Sequence, residues 1–357
     1  MVEIKQNRTS LRIEYRIVMS FTVTINNSGH QFQAEDNETI LDAALRQNIG
    51  LPYGCRNGRC GSCAADLLSG DVTYHGEAPA LADLGDGKCL PCQGFATSDL
   101  TLGVRESEDT ADLEVKLLPV RVHAVDHLSH DVVRLLLKLP DSQRLQFRAG
   151  QYLDFLLSDG RRRAFSIANA PHDDRFIELH IRHVDGGQFT DWVFSQMKER
   201  AILRIQAPLG SFTLDEDSPR PMIFMGGGTG LAPLKGQIEH AFHVGINRPM
   251  HLYWGVRSRR DLYLPELPRQ WAEQHQDFHF IPVLSEPDDD WTGRRGWVHE
   301  AVTEDFDDLA GYDLYMAGPP PMVKAGRDAF RAAGMPDQQM HYDSFEYAED
   351  TREKTGD

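Results

Sequence analysis

The stretch Tyr53-Gly54-Cys55-Arg56-Asn57-Gly58-Arg59-Cys60-Gly61-Ser62-Cys63 sets three cysteines at C-x4-C-x2-C spacing in one short glycine-rich loop. All five cysteines of the 357-residue chain, Cys55, Cys60, Cys63, Cys89 and Cys92, fall close to it. Disulfide frameworks spread cysteines along a chain, whereas metal sites bunch them. The leading residues MVEIKQNRTSLRIEYRIVMS lack the continuous apolar run of a secretory signal, which predicts a reducing, cytoplasmic setting and thiolate ligands. Gly54, Gly58 and Gly61 permit the backbone to curl closely and turn N–H groups toward sulfur. Zinc is the alternative occupant, but it usually takes paired C-x2-C knuckles. The spacing here is that of a two-iron, two-sulfide cluster.

Upstream of the loop, FTVTI at 21–25 and HQFQAE at 30–35 alternate apolar and polar residues around turn residues at 26–29, which predicts a hairpin. ETILDAALRQNIG then places Ile40, Leu41, Ala44 and Leu45 on one helical face, with an end at Gly50. Strand, strand, helix and cysteine loop resemble the β-grasp fold of plant-type ferredoxins. The resemblance implies a [2Fe–2S] cluster held by Cys55, Cys60, Cys63 and a fourth ligand from a distant segment. Cys92, in Leu90-Pro91-Cys92-Gln93, lies at the family's separation and carries its Cys-Gln pair. Cys89 competes for that role, its other reading being a half-buried thiol beside the cluster. The expected domain spans 20–106, after a tail over 1–19 to which no function is assigned. The charged run RESEDTAD at 105–112 reads as a linker.

Beyond the linker, short alternating segments recur (VKLLPVRVHAV, VVRLLLKL, QYLDFLL, RFIELHIRHV, AILRIQAPLG), predicting an antiparallel β-barrel over 113–218. Arg163-Ala164-Phe165-Ser166 resembles the R-x-[YF]-[ST] signature of the ferredoxin–NADP⁺ reductase superfamily. That resemblance implies FAD, with Arg163 on a flavin phosphate, Phe165 packed near the ring and Ser166 at its N5 edge. A guanidinium fork suits phosphate, and a neutral donor at N5 steadies the reduced ring. Gly186-Gly187-Gln188-Phe189-Thr190 opens a predicted helix over 191–198. A glycine turn at a helix N-terminus offers N–H groups to a pyrophosphate, which makes Gly187, Gln188 and Thr190 candidates. By the same resemblance His180, Ile181 and Arg182 line the cofactor. Alone each motif reads equally as a surface edge or a plain turn; their order beside the cysteine loop gives them weight.

The last third, 219–357, alternates strand and helix. An apolar strand at 221–225 runs into Gly226-Gly227-Gly228-Thr229-Gly230-Leu231-Ala232-Pro233 and then a helix through Ile238 and Ala241. Strand, glycine turn and helix are the context of a dinucleotide site. Gly228, Thr229, Gly230 and Pro233 match the superfamily's G-G-T-G-x-x-P turn rather than G-x-G-x-x-G. Further strands are expected at 251–256, 278–284 and 313–316. Ala317-Gly318-Pro319-Pro320-Pro321-Met322 resembles the family's C-G-P-x-x-M segment beside the nicotinamide, with Ala in place of Cys, so Gly318, Pro319 and Met322 join the site. In Asp343-Ser344-Phe345-Glu346-Tyr347, the resemblance makes Phe345 the aromatic that shields the flavin face, with plain packing as its other reading. NADPH sites need Arg or Lys at the ribose 2′-phosphate. Here Ser285 is followed by Glu286 and by Asp288, Asp289 and Asp290, which favours NADH, although Arg257, Arg259 and Arg260 could offset that charge.

The expected architecture is therefore a multidomain α+β chain: β-grasp ferredoxin domain, antiparallel β-barrel FAD domain, and α/β Rossmann-like NAD domain. A net charge of −17 argues against nucleic acid, and no apolar run is long enough to span a membrane. The order of domains is similar to oxygenase reductases with an N-terminal ferredoxin and to CDP-6-deoxyhexulose (glucoseen) reductases. YWGVRSRRDLY (253–263), GRRGWVHEAV (293–302) and GYDLYMAG (311–318) are most similar to the latter and to NAD(P)H–flavin reductases. The resemblance implies electron flow from NADH through FAD and [2Fe–2S] to an acceptor protein. That acceptor is an oxygenase or hydroxylase component, or alternatively a deoxysugar dehydrase; a stand-alone flavin reductase is the other reading. The acceptor is expected near the cluster loop, where Arg56 and Arg59 read as a basic collar or as simple loop solvation.

Overall fold

Alternating burial makes Ser20–Ile25 (β1) and Gln31–Glu35 (β2) an antiparallel pair, with Val23, Ile25, Phe32 and Ala34 facing inward. The computed structural model describes residues 6, 7, 10, 11, 18–107 and 113–346 and divides into two units, Met1–Asp112 and Leu113–Asp357. Of the leading tail, Gln6–Asn7 and Ser10–Leu11 form a two-residue ladder; its other residues before 18, and 108–112 of the linker, lie outside the described residues.

In the first unit, helix α1 (Ile40–Arg46) buries Ile40, Leu41, Ala43 and Ala44 and is capped by the Thr39 hydroxyl, which accepts from the Asp42 N–H. The helix stops short of the expected Gly50. Asn48 takes a left-handed φ of 58°, which ends the helical path and leads into the cysteine loop. The remaining strands are β3 (Ala65–Ser69), β4 (Val72–Tyr74), β5 (Lys88–Cys89), β6 (Gly94–Ala96) and β7 (Leu100–Gly103). The main sheet runs β2-β1-β7-β3-β5, and β4 pairs with β6 separately. One apolar core fills the space between sheet, helix and cysteine loop.

The second unit begins with β8 (Lys116–His127), β9 (Val132–Lys138), β10 (Tyr152–Leu156), β11 (Arg162–Ser166), β12 (Ile177–Arg182), helix α2 (Gln188–Ser195) and β13 (Ile202–Leu209). The antiparallel sheet runs β11-β10-β13-β8-β9-β12, and its two edges meet at a single bridge, Ile167 with Leu179. Helix α2 starts three residues before the expected 191 and ends three before 198, because Gly187 itself is the N-cap. Gln188 and Thr190 are thus in its first turn.

The chain continues as β14 (Met222–Gly227), α3 (Leu231–His243), β15 (Met250–Val256), α4 (Glu266–Gln274), β16 (Phe278–Leu284), β17 (Arg294–Arg295), α5 (Val298–Asp305), β18 (Asp313–Gly318), α6 (Pro320–Ala332) and β19 (Met340–Ser344). All pairs are parallel, in the order β17-β16-β15-β14-β18-β19. Strands are added on one side of β14 and then on the other. The switch point therefore lies between the carboxyl ends of β14 and β18, where open α/β sheets bind ligands. Every residue of β14 and of β18 is buried, as strands covered on both faces require.

Candidate active site and cluster loop

Three residues of the cysteine loop take left-handed backbone: Arg56 (φ 58°), Gly58 (φ 76°) and Gly61 (φ 75°). Glycine is needed at 58, since a Cβ there would lie 3.1 Å from Ala78 Cα and 3.2 Å from Gln93 Cγ. The curl turns main-chain donors onto sulfur: Cys55 N–H reaches Cys60 Sγ and Cys60 N–H reaches Cys55 Sγ, each at 3.4 Å, and Ser62 N–H reaches Cys60 Sγ at 3.5 Å. Cys63 and Cys92 bring their sulfurs to 3.1 Å. Gln93 Nε2 donates to Arg56 O at 2.8 Å and so ties the distant segment to the loop.

The four sulfurs thus come together two and two, the division that two irons with two thiolates each require. Hydrogen bonding within each pair, with Cys60 and with Cys63, pulls the thiols of Cys55 and Cys92 toward the thiolate. Cys89 differs: it sits on β5 opposite Ala65, packed in the core, and burial, reinforced by Asp66, pushes its thiol up to about 12. Ser62 Oγ is buried in the loop beside Cys60, where its hydroxyl pulls that thiol toward the thiolate against the effect of burial. This donor set fits [2Fe–2S]. The expected basic collar is largely neutralised, because Arg56 pairs with Asp42 and Arg59 with Glu77 at 3.5 Å.

On the barrel, Phe165 packs against Phe155 and Phe189 with ring centroids 5.8 and 5.6 Å away. Arg163 is half-buried and donates to Arg162 O. Beyond the Ile167–Leu179 bridge no ladder is formed between β11, which carries Arg163, Phe165 and Ser166, and β12, which carries His180, Ile181 and Arg182. Of the expected cofactor-lining residues 180–182, two have side chains taken up by the protein itself. Ile181 is fully buried in the barrel core, and the His180 ring is sealed between Glu178 and Tyr263 at 2.8 and 2.9 Å. Arg182, by contrast, borders the pocket at the glycine turn. At α2, the Thr190 hydroxyl is engaged with Val184 and with Gly187 O at 3.0 Å, so it shapes the turn that Gly187 and Gln188 open.

A cavity of about 660 Å³ lies at the switch point and includes Gly228, Thr229, Arg257, Ser285, Pro319 and Met322 in its wall. Its floor is backbone against backbone. A Cβ on Gly230 would fall 1.9 Å from Ala317 O, and one on Gly318 2.9 Å from Gly227 O. Trp254 Nε1 donates to Gly228 O at 2.9 Å and holds the turn. Pro233 is buried in the first turn of α3, behind the glycines. Among the acidic run, Asp290 pairs with Arg259 at 3.3 Å, and Arg260 approaches Asp261, leaving Arg257 to border the pocket beside Ser285 and Glu300.

Sequence reasoning missed Asp343. Ser166 Oγ donates to Asp343 Oδ2 at 2.9 Å, and Asp343 is the register partner of Ala317 at the nicotinamide turn. Burial raises the Asp343 carboxyl to about 6, against the opposing pull of that hydrogen bond. Phe345 packs half-buried on the nucleotide-domain core, its N–H donating to Gly318 O at 2.9 Å. Tyr347 lies outside the described residues. Trp254, Tyr263 and the exposed Trp297, which also borders the cavity, were likewise not singled out.

Comparison with known proteins matches residues 23–97 to a 2Fe-2S iron-sulfur cluster binding domain, 119–214 to an oxidoreductase FAD-binding domain, and 224–328 to an oxidoreductase NAD-binding domain. The chain is 37% identical to a CDP-6-deoxy-L-threo-D-glycero-4-hexulose-3-dehydrase reductase of Yersinia pestis, over 92% of this chain and 99% of the relative. It is also 37% identical to the aromatic O-demethylase reductase subunit of an Amycolatopsis species, with the same coverage of both chains. Among solved structures, an Amycolatopsis cytochrome P450 reductase superposes with a TM-score of 0.74 at 35% identity, covering 91% of this chain and 98% of that one.

Proposed function

Because the chain belongs to the iron–sulfur flavoprotein reductases that join a [2Fe–2S] ferredoxin domain to FAD- and NAD-binding domains, we propose that it draws hydride from NADH in preference to NADPH and serves an oxygenase or hydroxylase component that docks near the cluster loop. Flavin, when bound, converts a two-electron hydride donor into the one-electron supply that the cluster can carry. The chain's own part is placement. The observation that carries the reading is the Ser166–Asp343 hydrogen bond. It joins the last residue of β11 to the strand beside the Gly318 turn, so the residues that would hold the flavin edge and those that would hold the nicotinamide lie on one wall. Short approach and alignment are what hydride transfer needs from a protein.

The NADH preference is supported by the charges that surround Arg257 at the rim of the pocket. Arg259 and Arg260 lie against Asp290 and Asp261, and Glu286 follows Ser285 with its N–H on Arg257 O. A 2′-phosphate would enter among carboxylates. A dehydrase partner is the second reading, favoured by the Yersinia pestis relative.

The test is an anaerobic titration of the holoprotein with each nicotinamide, followed by coupled turnover with a purified aromatic oxygenase and, separately, a CDP-hexulose dehydrase. Flavin and cluster bands should bleach at lower NADH than NADPH, and the oxygenase should form product. Equal response to both nicotinamides would end the NADH reading, and turnover with the dehydrase alone would replace the partner.

A further inference from the structure

Strand β12 divides its side chains by period two. Ile177, Leu179 and Ile181 point into the barrel core, while Glu178, His180 and Arg182 share the opposite face. A strand face carrying Glu, His and Arg would ordinarily be wet. Here it meets the nucleotide domain, and the His180 side chain has no solvent exposure.

The partners form one continuous chain of contacts. Lys235 of α3, itself 6% exposed, reaches Glu239 at 2.9 Å, and Glu178 Oε2 and Ala168 O at 3.3 Å. Glu178 Oε1 holds His180 Nε2 at 2.8 Å, and His180 Nδ1 meets the Tyr263 hydroxyl at 2.9 Å. Tyr263 packs edge-on against Trp254, centroids 5.1 Å apart, and Trp254 fixes the Gly228 carbonyl. Strand β12 is thereby joined to the Gly228 turn by groups of defined direction.

The direction follows from the donors. Burial alone would raise Glu178, but its hydrogen bond to His180 and the Lys235 charge hold it at about 2, so it only accepts. His180 Nε2 must then donate. Burial lowers the His180 pKa against the pull of Glu178, and Lys235 and Arg134 add repulsion, so the ring stays neutral. Nδ1 is left to accept, and the Tyr263 O–H must donate. One tautomer satisfies every member, and a fully satisfied buried polar chain permits one docking geometry where an apolar contact would tolerate sliding.

We propose that His180 is a positioning residue for hydride transfer: through Glu178 and Tyr263 it sets the register between β12 of the barrel and the Gly228 turn of the nucleotide domain. This rests on the hydride-transfer reading above. The decisive variant is Tyr263→Phe, which removes one hydroxyl and keeps the ring on Trp254, with His180→Phe and the double variant beside it. Anaerobic stopped-flow with NADH and 4-deuterated NADH would give the limiting rate of flavin bleaching, the isotope effect and the dissociation constant. The long-wavelength absorbance of nicotinamide stacked on flavin reports geometry directly, and NMR of ¹⁵N-histidine in FAD-free protein reads the His180 tautomer.

The expected result is a limiting rate down by about tenfold or more in Tyr263→Phe, since small misplacements are costly in hydride transfer. The dissociation constant should stay within about twofold and the stacking band should weaken. Non-additivity in the double variant and a Nε2–H tautomer in the wild type complete the expectation. A Tyr263→Phe rate equal to wild type would overturn the proposal, as would a loss matched by equal weakening of NADH binding or a wild-type Nδ1–H tautomer. Wild-type protein that NADH does not bleach would instead sink the hydride-transfer reading itself.

Discussion

At the scale of one residue, Asp343 holds the Ser166 hydroxyl, the group proposed to face the flavin. As a carboxylate Asp343 can only accept the Ser166 O–H; as the carboxyl that burial favours up to about 6 it can also donate to Ser166 Oγ and leave that hydroxyl's proton for another acceptor. Flavin reduction should therefore slow as pH rises through about 6. Asp343→Asn, whose amide can donate as the protonated carboxyl does, should abolish that break and hold the rate at its low-pH level up to pH 8 while FAD remains bound, read by stopped-flow across pH 5–8. The stability signature has a fixed sign. The folded chain holds this proton up to about 6, whereas an unfolded aspartate releases it near 4, so stability contributed here falls as pH rises between those values. An unchanged pH–rate break in Asp343→Asn would remove Asp343 from the mechanism. Nothing in the local sequence pointed to this residue, because its partner is 177 positions away and the contact arises only when the barrel and the nucleotide sheet dock.

At the scale of elements, the legible parts were those whose chemistry is compressed into a few consecutive residues. The cysteine loop announces itself because a tight curl needs Gly58 and Gly61 at fixed offsets, and the left-handed backbone there bears this out. The G-G-T-G turn is legible for the same reason. Gly230 admits no side chain, since a Cβ would lie 1.9 Å from Ala317 O and 2.5 Å from Ala317 C, both main-chain atoms that cannot rotate away. Gly230→Ala should separate the carboxyl ends of β14 and β18 at a cost of about 1–3 kcal/mol. NADH affinity should fall about tenfold or more, since that cost acts where the nucleotide binds, while the cluster spectrum is unchanged. Titration calorimetry with NAD⁺ on the holoprotein checks it; wild-type affinity would show that the two turns can part freely. Less legible were helix limits, set at Asn48 and Gly187 by single backbone conformations, and the role of β12. Period two correctly marks β12 as a barrel strand, yet it cannot say that Glu178 and His180 face another domain instead of water.

At the scale of the molecule, the two units each carry a complete apolar core: one in Met1–Asp112, three in Leu113–Asp357. No residue of the flavin strand, the glycine turns or the Ser166–Asp343 pair comes from the first unit. Hydride chemistry and one-electron delivery are thus built on separately cored parts, and a chain of residues 113–357 should fold, bind FAD and oxidise NADH on its own. With ferricyanide, which takes electrons from reduced flavin, its turnover should stay within about twofold of the full chain. With the partner oxygenase it should drop by at least about tenfold, because the flavin then lacks the cluster that meters single electrons. Both rates can be measured on one preparation matched for flavin content. Partner turnover that survives truncation would mean the acceptor draws on flavin directly, and the Cys55, Cys60, Cys63 and Cys92 loop would then need another purpose. Loss of ferricyanide activity with FAD retained would mean instead that hydride transfer needs the first unit as well, and the two activities would not separate at Asp112.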